Sequence, residues 1–250
     1  MARVSYEGTR YAGFQVQPSA PTVQAELELA LATICGEPVR IVGAGRTDAG
    51  VHATGQVISF RTAERSDGGT VRRGVNALLP ADIAISEVEV AGEDFHARFS
   101  ATGRTYEYRI RNAPQREPLE RRREHWVPQA IDDEAMARAS ALLVGRRDFS
   151  AFAVGPGGER TVRRAAWTRD GALLRFEIEA NAFLRGMVRA IVGTLLWVGR
   201  GKIDADAVRA IVEGRDRSRA GPNAPAAGLC LVAVSYDGMM ERVTEEDEGS

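Results

Sequence analysis

The stretch GAGRTDAGVHATGQV, residues 43–57, sets four glycines around Arg46, Asp48 and His52. Residues 39–42 before it and 56–61 at its end read as strands, which makes the glycine-rich part a loop between them. Loops of this composition often cradle phosphate, but the mechanics fail here. A dinucleotide fingerprint needs a glycine where Asp48 stands and a helix to follow. A P-loop needs Lys and then Ser or Thr after Gly50, where this chain has Val51 and His52. Two readings remain. TDAG is a β-turn signature that would put Gly50 at positive φ. Alternatively, Arg46 and Asp48, two apart at the loop tip, both project into a cleft, with the Arg keeping the Asp ionised. Aspartate ordinarily titrates near about 3.9, so it is charged at neutral pH and can serve as nucleophile or base without the raised pKa a general acid needs.

Working outward, residues 4–6 close a short strand, and Thr22 caps a helix with apolar residues at Val23, Leu27, Ala30, Leu31 and Ile34. Residues 71–78 read as a second helix and 83–90 as another strand, giving the β-α-β-β-α-β order of a ferredoxin-like half. Beyond residue 100, RTYEYRIR alternates Tyr106, Tyr108 and Ile110 against Glu107, Arg109 and Arg111, which predicts a strand. Asp132 then caps a helix with Met136, Ala139 and Leu143 on its apolar face and Gly145 as its stop. VRRAAWTR and LLRFEIEA form a hairpin, NAFLRGMVRAIVGTLLWVGRG a long helix, DADAVRAIVEG a shorter one, and GLCLVAVSY a closing strand. The second half repeats the order of the first. The expected fold is therefore α+β, with halves at residues 1–100 and 101–236 whose sheets could run together.

The chain has 250 residues, enough for a full core, and no apolar run long enough to span a membrane. The N-terminus carries no signal-peptide pattern, so the cytoplasm is the expected compartment. Net charge is −1, yet residues 237–250 carry six acids and only Arg242, leaving the body mildly basic. That aperiodic acidic tail is expected to be disordered. Cys35 and Cys230 fit no zinc spacing and read as reduced, buried thiols, and His52, His96 and His125 lack metal spacing, so no metal is expected. His52 reads as a turn or packing residue. Tyrosines in a strand are ordinarily packing residues. Arg185 and Arg189, four apart on an otherwise apolar helix, are either a solvated stripe or buried cations that require a carboxylate, for which Asp48 is a candidate.

GRTDAGVHATGQV, FHARFSATGRTYEYRI, NAFLRGMVRAIVGTLLWVGRGKI and APAAGLCLVAVSY, in this order, resemble the tRNA pseudouridine synthase A family, and YEGTRYAGFQVQ and TVQAELELAL are similar to its opening. The resemblance runs from Tyr6 to Tyr236. It departs at Phe14 and Glu7, where the family commonly has Trp and Asp, and the five residues before Tyr6 make the first strand look clipped. The resemblance implies an isomerase that converts uridine to pseudouridine, with Asp48 catalytic and Arg46 displacing the target base. It further implies Tyr106 on the flipped uracil, Arg189 paired with Asp48 and Leu229 lining the uracil pocket. The family's two similar halves form one continuous, mostly antiparallel sheet with helices on one face and a cleft on the other. It acts as a homodimer on the tRNA anticodon arm, without metal or cofactor. A non-catalytic RNA-binding module would have no use for Arg46, Asp48, Tyr106 and Arg189 together.

Overall fold

The computed structural model describes residues 1–63, 67–237 and 239–240. Alternating apolar residues form strand β1 (Ala2–Tyr6), buried at Ala2, Val4 and Tyr6. Thr22 opens helix α1 (Val23–Cys35) by accepting a hydrogen bond from the Ala25 N–H at 3.3 Å, and Gly36 closes it in the left-handed region. Val23, Leu27, Ala30 and Leu31 are its buried stripe. Truncating a fully enclosed leucine such as Leu27 to Ala costs about 2–5 kcal/mol. Strands β2 (Ile41–Gly43) and β3 (His52–Phe60), helix α2 (Gly68–Leu78) and strand β4 (Ile83–Val88) complete the order expected of the first half. β1 pairs antiparallel with both β3 and β4, and β2 pairs antiparallel with β3.

The chain continues through β5 (Ala101–Arg111), β6 (His125–Trp126), α3 (Asp133–Ala141), β7 (Gly145–Asp148), β8 (Glu159–Asp170) and β9 (Leu173–Ala180). It ends with α4 (Met187–Gly199), α5 (Ala207–Gly214), β10 (Leu229–Tyr236) and β11 (Met239–Met240). Two compact units result, one from Met1–Arg104 with the described chain from Cys230 onward, the other Thr105–Leu229. In the first unit β10 lies parallel beside β3, with Cys230 opposite His52, and β11 returns antiparallel on β10. In the second, the strands run β5-β9-β8-β7, with the short β6 parallel to β5. The fold is α+β and its ladders are mostly antiparallel. Beyond Met240 the acidic tail lies outside the described residues.

The second unit is held by one apolar layer. Leu174, Phe176, Ile178 and Ala180 alternate into it from β9, and Met136, Ala139 and Leu143 enter from α3 and the turn after it, all without exposed surface. Trp167 of β8 stacks on Phe176 at 4.7 Å and donates from its indole N–H to the Ser140 hydroxyl at 2.9 Å, tying α3 to the sheet.

Three elements differ from the sequence reading. β3 begins at His52, so the glycine-rich loop is shorter than its composition suggested. α3 ends at Ala141, and Gly145, at φ +108°, opens β7 instead of stopping the helix. The helix read from Asn181 starts only at Met187, because Gly186 stands before it at φ +71°, a conformation that breaks the helical path. A Cβ there would also lie 2.8 Å from Val154 Cγ2. Arg185 is therefore exposed ahead of the helix, and Arg189 lies in its first turn. No helix among the described residues is long and apolar enough to cross a membrane.

Candidate active site

Residues 44–51 connect β2 to β3, and nearly every one of them is tied down. The Ala44 N–H donates to Val57 O at 2.8 Å, carrying the strand ladder one residue beyond β2. Ala44 O accepts from Nε and Nη2 of Arg104 at 3.2 and 2.8 Å. That arginine also donates to the carbonyls of Ala101 and Arg98. Gln56, with no exposed surface, brackets Gly45 from both sides: its Nε2 donates to Gly45 O at 2.7 Å and its Oε1 accepts from the Gly45 N–H at 3.3 Å. Thr47 is buried, with its hydroxyl 2.8 Å from that of Tyr6 and its carbonyl accepting from the Phe14 N–H at 3.1 Å. Burial holds the Tyr6 hydroxyl far above the usual tyrosine pKa, so it stays a neutral hydrogen-bonding group.

Around the buried Thr47 the chain exposes Arg46 and leaves Asp48 half-buried. The Val51 N–H closes a turn onto Asp48 O at 3.1 Å, and the Gly50 N–H donates to Tyr11 O at 3.2 Å. Gly50 is at φ +77°, which a side chain would strain, so the turn reading holds. His52 is a β3 residue, 8% exposed, whose Nδ1 accepts the Gly8 N–H at 3.0 Å. His52 therefore anchors the Gly8 backbone from within β3, where the sequence reading had a turn or packing residue, with Glu7 Oε1 at 3.7 Å.

The second unit holds the other expected site residues. Tyr106 of β5 is 7% exposed and meets Phe183 edge to face at 5.2 Å. Arg189 is half-buried and donates from Nε to Ala224 O at 2.7 Å, while the Ala224 N–H returns a bond to Arg189 O at 2.9 Å. The guanidinium is thus fixed to the segment before β10 and sits near Tyr108, whose hydroxyl donates to Pro225 O at 2.9 Å. Burial raises the Tyr108 pKa strongly, and the Arg189 charge opposes part of that rise. Leu229, the first residue of β10, is buried.

The sequence profile of the tRNA pseudouridine synthase family matches residues 2–100 and 139–237. The chain belongs to the tRNA pseudouridine synthase family. It is 45% identical over 240 residues to tRNA pseudouridine synthase A of Neisseria gonorrhoeae, covering 94% of this chain and 91% of that protein. It is 48% identical over 241 residues to that of Chloroflexus aurantiacus, covering 93% and 87%. The counterpart in Acetivibrio thermocellus is 44% identical over 237 residues, covering 93% and 97%. A chain of a Cbf5–Nop10–Gar1 complex matches 80% of this one at 10% identity with a TM-score of 0.36, a likeness too low to support an inference.

Family membership makes the chain an isomerase acting on tRNA, and Arg46 and Asp48 fall within the first matched segment. The bracing side chains were not singled out in the sequence. Tyr6 and Gln56 look like ordinary strand residues, and their partners in the loop are distant in the chain. Phe183 was placed inside a helix, whereas it lies on the irregular approach to Gly186.

Proposed function

We propose that the chain converts uridine to pseudouridine in the anticodon stem-loop of tRNA, with Asp48 as the catalytic carboxylate. The observation that supports this reading best is the bracing of residues 44–51. Gln56, Tyr6, Arg104, Phe14 and Tyr11 hold the loop by side-chain or backbone bonds on either side of Asp48. Such preorganisation suits a group that must meet one atom of a substrate in one geometry.

In the proposed reaction the bond from uracil N1 to ribose C1′ breaks, the uracil rotates, and a bond from C5 to C1′ replaces it, while C5 gives up its proton to solvent and the freed N1 takes one up. The exchange is redox-neutral and intramolecular, and we assign it no metal or cofactor. Asp48 either adds to C1′ as nucleophile or takes the 2′ proton to give a glycal. Unstacking the target costs a few kcal/mol, which insertion of Arg46 and packing of Tyr106 on the uracil offset, a stacked base being worth about 1–3 kcal/mol. Leu229 lines the uracil pocket in this reading, and Arg189 is the cation assigned to Asp48. The enzyme works in the cytoplasm as a homodimer that grips the anticodon arm.

The test is tritium release from uridine C5 in defined tRNAs, followed by mapping of the product. Release with pseudouridine in the anticodon arm supports the reading. Product mapped only outside that arm, or no release from any tRNA, overturns it.

A further inference from the structure

Strands β7 and β8 of the second unit carry six arginines, and their partners divide them sharply, Arg169 pairing with Asp133 at 2.7 Å. Arg146 pairs with Glu159 at 2.6 Å, Arg163 with Glu179 at 3.2 Å and Arg164 with Glu177 at 3.0 Å. Arg147 and Arg160 pair with no carboxylate among the described residues. They are also register partners, so they stand directly across the two strands on the same face. Like charges in that position repel each other.

The local pattern gives this pair no relief. The next register pair on its face is Gly145 opposite Val162, and Val162 is buried. The nearest acids, Asp148 and Glu159, oppose each other one register pair away and so belong to the other face. Both are committed, Glu159 to Arg146, and Asp148 to Ser150 and, at 3.2 Å, Arg215. The Arg147 side chain makes no hydrogen bond among the described residues, and the Arg160 side chain donates only from Nη1 to Glu159 O. The Nε of each is shut off from solvent with no acceptor among the described residues. Both side chains are half-buried, so they are held in place more firmly than free surface arginines.

We propose that Arg147 and Arg160 clamp one phosphodiester of the RNA substrate between their guanidinium groups. A single anion cancels the repulsion of the pair and supplies acceptors to two planar forks whose geometry matches phosphate oxygens. This rests on the reading of tRNA as substrate, which selects a phosphodiester over free phosphate. The clamp reads no base, so it fixes register on the RNA and leaves sequence choice to other contacts.

Binding of unmodified tRNA across a salt series, with wild type, Arg147→Gln, Arg160→Gln, the double variant and Arg146→Gln as control, tests it. Losing one phosphate contact should lower the slope of log K against log salt by about 0.7–0.9. The double variant should bind about tenfold more weakly at physiological salt, little worse than either single variant because one phosphate is shared, with kcat at saturating tRNA unchanged. Melting temperature without RNA should hold or rise as the repulsion is removed, whereas a structural role would lower it. Arg147→Lys with Arg160→Lys should keep the slope and lose part of the affinity. A wild-type slope and Kd in the double variant overturn the clamp. So does inorganic phosphate that raises the melting temperature of wild type but not of the double variant while both bind tRNA equally, since the site would then serve a free anion. Tritium release by wild type reports on the substrate reading separately, so failure of either is distinguishable.

Discussion

The Asp48 carboxylate is half-buried, while its neighbour Thr47 is anchored and Arg46 is exposed. Asp48→Asn keeps the shape and removes the charge. Turnover should fall by at least about three orders of magnitude while tRNA binding persists, measured as single-turnover tritium release beside filter binding. Arg189 is a different kind of residue, since the Ala224 carbonyl already holds its Nε. Arg189→Leu should lower kcat at least about tenfold with little change in tRNA affinity, and Arg189→Lys should recover part of it, a point charge remaining without the planar fork. Equal losses in both variants, confined to KM, would assign Arg189 to RNA contact instead.

The unit of behaviour at the next scale is the braced loop, not any one of its residues. Gln56→Leu leaves the backbone N–H and C=O of Gly45 without their partner, a change worth about 1–3 kcal/mol. Its expected signature is a lower melting temperature together with reduced kcat, because the turn bearing Asp48 loosens. A fall in stability with kcat intact would show that the loop's rigidity does not matter to the chemistry.

Strand β6 gives a second prediction at this scale. Burial and then the nearby Arg200 charge push the His125 pKa down to about 4 from 6.5, and its Nδ1 is enclosed with no hydrogen-bond partner among the described residues. Between those values the unfolded chain takes the proton and the folded chain refuses it, so stability falls as pH drops from about 6.5 towards 4. The contribution is at most about 3 kcal/mol, less for the part of the ring that meets solvent. Thermal melts of His125→Gln should show a flatter pH dependence over that window than wild type.

Across the whole molecule, the proposed homodimer predicts a light-scattering mass about twice 27.1 kDa at micromolar concentration. A monomer that still releases tritium at full rate would remove the dimer from the mechanism. The two compact units divide the expected site residues, Arg46 and Asp48 in the first, Tyr106, Arg189 and Leu229 in the second. β10, near the end of the sequence, pairs with β3 of the first unit.

The sequence by itself determined the elements with local causes. Thr22 and Asp132 cap helices because their side chains reach backbone N–H groups three residues ahead. The alternation of Tyr106, Tyr108 and Ile110 made a strand with those three buried, and TDAG made a turn with Gly50 at positive φ. Family membership was legible too, from ordered motifs spread along the chain. Only the tertiary structure decided what depends on partners far apart in sequence. Gly186 ended a helical pattern that composition alone would have carried back to Asn181, β6 and β7 formed without any strong periodicity of their own, and β10 found β3. The brace on the Asp48 loop belongs to the same class. Tyr6 reaches Thr47 across 41 residues and Arg104 reaches Ala44 across 60. No local propensity encodes such bonds, because their free energy is gained only after the core has brought the partners together and excluded water from them.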